Sequence, residues 1–248
     1  MRILAVFGSK SDQPVYQQLT EQLGKLPQVS LQIEILSAHR NPVELDQRLQ
    51  QADYDLIIAG AGLAAHLPGV IASKVKTPVF GIPVNSYFGG LDAFASTIQM
   101  PFPIPVLAAG PNHVTAIYDF LAAYFAISTE NNLDWQQITV VIPPQWQQRD
   151  AVIREQARMQ QYADQHQLTL QVKERAEHST PSISLVCAAC DKYDPLAIHT
   201  PIIEQEERIQ PQTLLQIMEW SKSGGLWVGA NNGRNAIVAY QQLFLSNL

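Results

Sequence analysis

Residues 57–69 read Ile-Ile-Ala-Gly-Ala-Gly-Leu-Ala-Ala-His-Leu-Pro-Gly, the most informative stretch of the chain. Ile57 and Ile58 form a β-branched apolar run of the kind that fills a buried parallel strand, here ending at Gly60. Gly60 and Gly62 let the backbone turn and approach a ligand with no Cβ in the way. His66 follows, and Pro68 with Gly69 marks where the chain is expected to leave the turn. Small ligands of open α/β sheets sit at the carboxyl ends of strands. Gly60, Ala61, Gly62, His66 and Leu67 are therefore candidate binding residues.

Two further segments have the same form. Ile3-Leu4-Ala5-Val6-Phe7 predicts a buried strand that breaks into Gly8-Ser9-Lys10-Ser11-Asp12. Leu31 to Leu36 predicts another, breaking into Ser37-Ala38-His39-Arg40-Asn41-Pro42. The hydroxyls of Ser9, Ser11 and Ser37, amides at helix starts beside Gly8 and Ala38, and a guanidinium suit a phosphoribosyl group. Arg40 can pair with phosphate bidentately, while Asp12 can accept from ribose hydroxyls. Each serine taken singly is more often a helix cap than a ligand, but the cluster with the Gly8 turn reads as a binding site. His39 is the candidate for proton transfer, because imidazole is the side chain that titrates nearest neutrality. His66 either lines the pocket or only fixes the turn.

Strands near 3–7, 31–36, 55–60, 78–82 and 104–109 alternate with helical stretches such as 14–26 and 42–52. That alternation predicts an α/β fold: a three-layer αβα arrangement around a doubly wound parallel sheet. After a helix over 114–127 comes a polar break at 128–137, and the pattern then restarts. A strand over 138–142, an amphipathic helix over 149–166 and a strand over 168–172 are expected. Leu31-Gln32-Ile33 matches Leu170-Gln171-Val172, and His39 and Pro42 match His178 and Pro181, all at an offset of 139. Pro105 to Leu121 parallels Leu226 to Gln242 at an offset of 121. The reading is a tandem duplication with domains at 1–127 and 138–248.

The second copy keeps the scaffold pattern and loses the chemistry. Pro143, Pro144 and Gln147 stand for Gly8, Ser9 and Asp12, and Ser179 stands for Arg40. Ala189-Cys190-Asp191-Lys192 and a deletion replace the glycine turn. Without arginine and glycines the copy is a poor phosphate binder, so it is expected to be structural.

A net charge of −6 and no basic stripe argue against nucleic-acid binding. Apolar stretches are interrupted within a dozen positions, and a strand begins directly after Met1. Neither a membrane span nor a signal peptide is expected, which points to the cytoplasm. Cys187 and Cys190 read as part of a buried strand; zinc would need His178 and His199 as well. No metal and no cofactor are expected.

The three segments G-S-x-S-D, S-A-H-R and A-G-A-G-x-A-A-H-L-P-G, in this order, resemble the phosphoribosylaminoimidazole carboxylase catalytic subunit family of purine biosynthesis, over about residues 1–107. The resemblance implies an isomerase that moves a carboxylate from N5 to C4 of an imidazole ribonucleotide, with His39 as general acid and base. Arg40 and the His66-Leu67-Pro68-Gly69 string resemble the mutase branch; the branch that carboxylates aminoimidazole ribonucleotide directly carries A-H-K. A non-catalytic nucleotide-binding relative is the other alternative. Leu63 stands where the family usually has glycine, and either crowds the pocket or packs. The family closes its domain with an Asn-rich turn; Gly110 to Thr115 departs from it, whereas Gly229 to Ala236 keeps it. Family members form symmetric oligomers resembling octamers. For a tandem chain this implies a homotetramer with one active site per chain, the Asn231–Arg234 turn facing a first-copy pocket.

Overall fold

The computed structural model describes residues 1–127, 134–177 and 180–245. The first half runs β1 (Arg2–Phe7), α1 (Gln13–Leu23), β2 (Ser30–Ile35), α2 (Pro42–Gln50), β3 (Leu56–Ala61), α3 (His66–Ala72), β4 (Val79–Pro83), α4 (Leu91–Ile98), β5 (Leu107–Ala108) and α5 (Val114–Phe125). The second runs β6 (Gln137–Val141), α6 (Asp150–Gln165), β7 (Thr169–Lys173), β8 (Ser182–Val186), β9 (Ala197–Pro201), α7 (Pro211–Ser221), β10 (Leu226–Trp227) and α8 (Gly233–Tyr240). The expected α/β class is the observed one. Among the described residues no helix joins β7 to β8 or β8 to β9, which is how the second half comes to be shorter.

All ten strands form one sheet in the order β2-β1-β3-β4-β5-β10-β9-β8-β6-β7. The order reads the same from either edge: each half places its first strand second from the edge and its last strand at the centre. Every pairing is parallel except the central one, where Trp227 of β10 lies antiparallel to Ala108 of β5. That junction is the point at which the parallel expectation fails. Two parallel half-sheets meeting edge to edge about a twofold must run oppositely.

Burial joins the halves as firmly as hydrogen bonding does. One core cluster runs from Phe7, Phe80 and Phe120 in the first half to Ile138, Ile183 and Tyr240 in the second. On the other face Phe94 and Ile98 of α4 pack with Ile217 and Met218 of α7 around the fully buried Trp227. Such a continuous apolar interior resists separation of the halves.

Two sequence expectations need correction. Pro68 and Gly69 do not end the turn; they lie inside α3. Proline is tolerated in a helix's first turn, where its missing N–H has no intrahelical partner in any case. The offset between the two domain ends is 119, not 121: Leu107 and Leu226 open the central strands, and Val114 and Gly233 open the helices that follow. Apolar pattern alone tolerates a two-residue slip, whereas strand pairing does not. His178 and Ser179, used in the repeat reading, lie outside the described residues.

Candidate functional site

Strand register assembles the site. Phe7, the last residue of β1, lies opposite Ile35 of β2 and Gly60 of β3. The three turns that follow these strands therefore emerge side by side at one edge, as their positions at carboxyl ends require. They enclose a cavity of about 580 Å³ lined from the first turn by Gly8, Ser9, Ser11 and Asp12. Ser37, Ala38, His39 and Arg40 line it from the second turn. Ala61, Gly62, His66 and Leu67 line it from the third. Gly60 alone of the expected residues stands back from the lining. Its carbonyl accepts from the Gly8 N–H at 3.0 Å, and a Cβ there would overlap the Phe7 ring, so its smallness serves packing beneath the pocket.

The first turn is a capping box. The Ser9 hydroxyl accepts from the Ser11 N–H at 3.2 Å, and Asp12 Oδ2 accepts from the Ser9 N–H at 3.1 Å. Ser11 Oγ donates to Asp12 Oδ1 at 3.3 Å. Asp12 is buried, and that desolvation raises its carboxyl above the ordinary carboxylate value against the lowering pull of Ser11, Ser9 and Arg40. In the second turn the Ser37 hydroxyl accepts from the N–H groups of both His39 and Arg40 at 3.3 Å. Arg40 reaches across to the first turn and donates from Nη2 to the Gly8 carbonyl at 2.7 Å. The serines are thus caps whose hydroxyls also face a cavity, the two roles the sequence left side by side.

His39 and His66 come together, 27 residues apart in the chain. His66 Nδ1 lies 3.1 Å from His39 Nε2, with the rings edge to face at 77°. One nitrogen must supply the proton and the other the lone pair, so the contact couples the two tautomers and orients the His39 ring. Among the described residues Nδ1 of His39 has no partner and is the nitrogen left for a ligand. His66 thus does more than fix the turn.

Leu63 also lines the cavity, at φ +54°, in the left-handed region that favours glycine. Glycine, expected there from the family resemblance, would adopt that conformation without strain. Leu63 pays in strain and projects its side chain, 55% exposed, at the mouth.

Sequence reasoning missed Ser86, which enters the cavity from the loop after β4. A cavity-side Cβ at Gly62 would stand only 3.2 Å from Ser86 Cβ, so that glycine lets the two loops close. Asn112 holds the Ser86 loop: its N–H donates to the Pro83 carbonyl at 2.9 Å and its Oδ1 accepts from the Asn85 N–H at 2.8 Å. Asn231 does the same with Pro201 and Ile203, and both asparagines are left-handed, at φ +56° and +51°. The turn at Gly110–Thr115 has therefore not lost the feature that the Asn-rich turn of the second half keeps. A polar Asn-Ser pair directly after the largely apolar run 79–84 was the available signal for Ser86.

The matching place in the second half holds ion pairs among the described residues. By strand register Cys187 corresponds to Gly62, and Glu204 to Ser86. Arg149 Nε binds Glu204 at 3.3 Å, Arg154 binds it at 3.2 Å, and Arg149 also lies 3.8 Å from Glu207. Burial pushes the Cys187 thiol up to about 11, which keeps it an unreactive thiol. Cys187 follows β8 and Cys190 is exposed, so the pair lies beyond the strand rather than in it. Among the described residues no group of three or more His, Cys, Asp or Glu side chains gathers as a metal site. His199 is buried against Tyr193 and Trp227, in a structural setting.

Comparison with known proteins agrees with this geometry in extent. The N5-carboxyaminoimidazole ribonucleotide mutase of Haemophilus influenzae is 47% identical over 116 residues, 44% of this chain and 70% of that protein. The mutase of Methanocaldococcus jannaschii is 40% identical over 108 residues, 44% of this chain and 68% of that protein. The chloroplastic phosphoribosylaminoimidazole carboxylase of Vigna aconitifolia is 34% identical over 161 residues, 63% of this chain and 28% of that protein. The AIR carboxylase family model matches residues 2–137, more than half of the sequence, and the chain belongs to that family.

Proposed function

We propose that the chain is an N5-carboxyaminoimidazole ribonucleotide mutase, moving the carboxylate from N5 to C4 of the imidazole. The observation that carries this reading is the meeting of His39, oriented by His66, with Arg40, Asp12 and the Ser9 and Ser11 hydroxyls around one cavity. Arg40 and the Ser9, Ser11 and Ser37 hydroxyls hold the phosphate, and Asp12 receives ribose hydroxyls. His39 gives a proton to N5 as its bond to the carboxyl carbon breaks, releasing carbon dioxide. The electron-rich C4 then forms the new bond to that carbon, and His39 recovers the C4 proton, so protons balance over the cycle. Ala61, Ala64 and Ala65 wall the space in which carbon dioxide waits.

We further propose that residues 1–127 and 138–248 descend from one duplicated domain. The palindromic strand order supports this, and the ion-paired Glu204 supports one competent site per chain. Four such chains, a homotetramer, would then stand in for eight single domains. A cytoplasmic location fits this metabolic role; no helix of the described residues is long and apolar enough to cross a membrane.

The test is turnover of the N5-carboxylated nucleotide, with aminoimidazole ribonucleotide plus bicarbonate as the parallel substrate. Conversion of the first at low bicarbonate supports the mutase; conversion of only the second makes the chain a direct carboxylase. Nucleotide binding without turnover makes it a non-catalytic relative. Ligand binding at two per chain would overturn the single-site reading, and light scattering at monomer mass the tetramer.

A further inference from the structure

We propose that Asn232 and Asn235 of the second half are positioning residues for the His39–His66 pair, acting through Met100 and α3. This rests on the mutase reading. Among the described residues the second half contributes none to the cavity lining, so the Asn231–Arg234 turn does not face the pocket as expected. It reaches the first half elsewhere. Asn232 Nδ2 donates to the Met100 carbonyl at 2.9 Å, and Asn235 Nδ2 donates to Met100 and Pro101 carbonyls at 3.3 and 3.2 Å. Asn232 precedes α8 yet gives that helix no side-chain cap; its side chain is turned to Met100, to which Nδ2 donates. Asn235 is 1% exposed, and among the described residues its Oδ1 has no partner, a cost that the donor side of the amide offsets.

Met100 carries the contact onward. Its sulfur packs on Gly69 so closely that a Cβ there would stand 3.0 Å away. Gly69 belongs to α3, which His66 opens. That helix has seven residues and no side-chain cap, and a helix so short has little stability of its own. What holds it is packing, on Met100 among others, and its first residue orients the His39 ring. The clasp has a counterpart: His113, at the position equivalent to Asn232, lies with Nδ1 3.3 Å from the Ser221 carbonyl of the other half. The Met100 side of this reciprocal pair leads to the half that holds the three-turn cavity. The retired half is thereby kept as a brace.

The test uses the full chain carrying Asn232→Ala, and separately Asn232→Ala with Asn235→Ala. Hydrogen exchange of the 66–72 amides is expected to accelerate about tenfold, the equivalent of losing a net hydrogen bond. Mutase kcat should fall by a similar factor with KM nearly unchanged, and the His66–His39 imidazole nitrogen resonances should shift. Asn232→His, which restores a donor of the kind used at His113, should recover both. Unaltered exchange at 66–72 in both variants would overturn the brace, as would acceleration spread evenly over the whole chain. If the double variant does not fold, Asn232→Ala and its histidine rescue decide. A parent chain without turnover would defeat the mutase reading, whereas exchange at 66–72 would still decide the brace.

Discussion

Acid stability of this protein should hinge on His199. The ring is 2% exposed, between Tyr193 and Trp227 at centroid distances of 5.0 and 4.9 Å. Its Nε2 lies 3.1 Å from the Asp194 carbonyl, and among the described residues its Nδ1 has no partner. Burial lowers its pKa from the ordinary 6.5 to about 4, against the weaker raising effect of the Asp194 carbonyl. The unfolded chain therefore takes up a proton as pH falls through about 6.5, and the folded chain only near 4. Over that window the unfolded state binds more protons, so stability is present above it and lost as pH falls. The slope approaches about 1.4 kcal/mol per pH unit, and the whole loss is on the order of 3 kcal/mol. That is a large share of a typical domain stability of roughly 5–15 kcal/mol. Asp12 and Glu155, whose carboxyls burial raises, act in the opposite sense and are common to parent and variant. Urea unfolding of the parent and of His199→Gln between pH 7.5 and 4.5 isolates the term as the difference in slope. Glutamine keeps an N–H for the Asp194 carbonyl and does not titrate, so its curve should be flatter. A variant that loses stability with acid as steeply as the parent would refute the reasoning.

Catalysis gives three more tests. His39→Asn should lower turnover by about 10²–10⁴ with nucleotide affinity little changed, and His66→Ala, which removes only the orienting partner, should lower it less; steady-state kinetics and calorimetry read both. Arg40→Ala should weaken a phosphorylated ligand by roughly 1.5–3 kcal/mol, seen as a higher Kd in titration with aminoimidazole ribonucleotide. At Leu63 the relief of about 1–2 kcal/mol of left-handed strain is offset by glycine's entropy and the lost side-chain contact, so Leu63→Gly should shift stability by less than about 1 kcal/mol. It should also widen the mouth and lower KM, whereas Leu63→Val, β-branched at positive φ, should destabilise in thermal melts.

The three strand-end turns were legible because each is a local signal. An apolar run, a glycine and a cap fall within about a dozen residues, and backbone preference within that span settles the conformation. Lines drawn from apolar pattern alone were less secure. The slip from 119 to 121 in the distal offset comes from segments whose partners are distant in sequence, whereas the exit expected at Pro68 failed because a helix's first turn accepts proline. β5, expected over 104–109, forms ladder pairs only at Leu107 and Ala108, because its neighbours β4 and β10 set how much of it can pair.

By itself the sequence determined that this chain builds α/β layers, where its strands end, and which polar groups those ends present. Tertiary structure decided how those groups meet. His66 touches His39 because the register of β1 with β2 and β3 sets two turns side by side. The antiparallel meeting of Ala108 and Trp227 fuses two half-sheets into one, and so brings Asn232 against Met100, 132 residues away. Propensity and capping act over a turn or two of chain and can be read from one dimension. Register and the packing of faces depend on which surfaces must leave water together, and that is settled only in three.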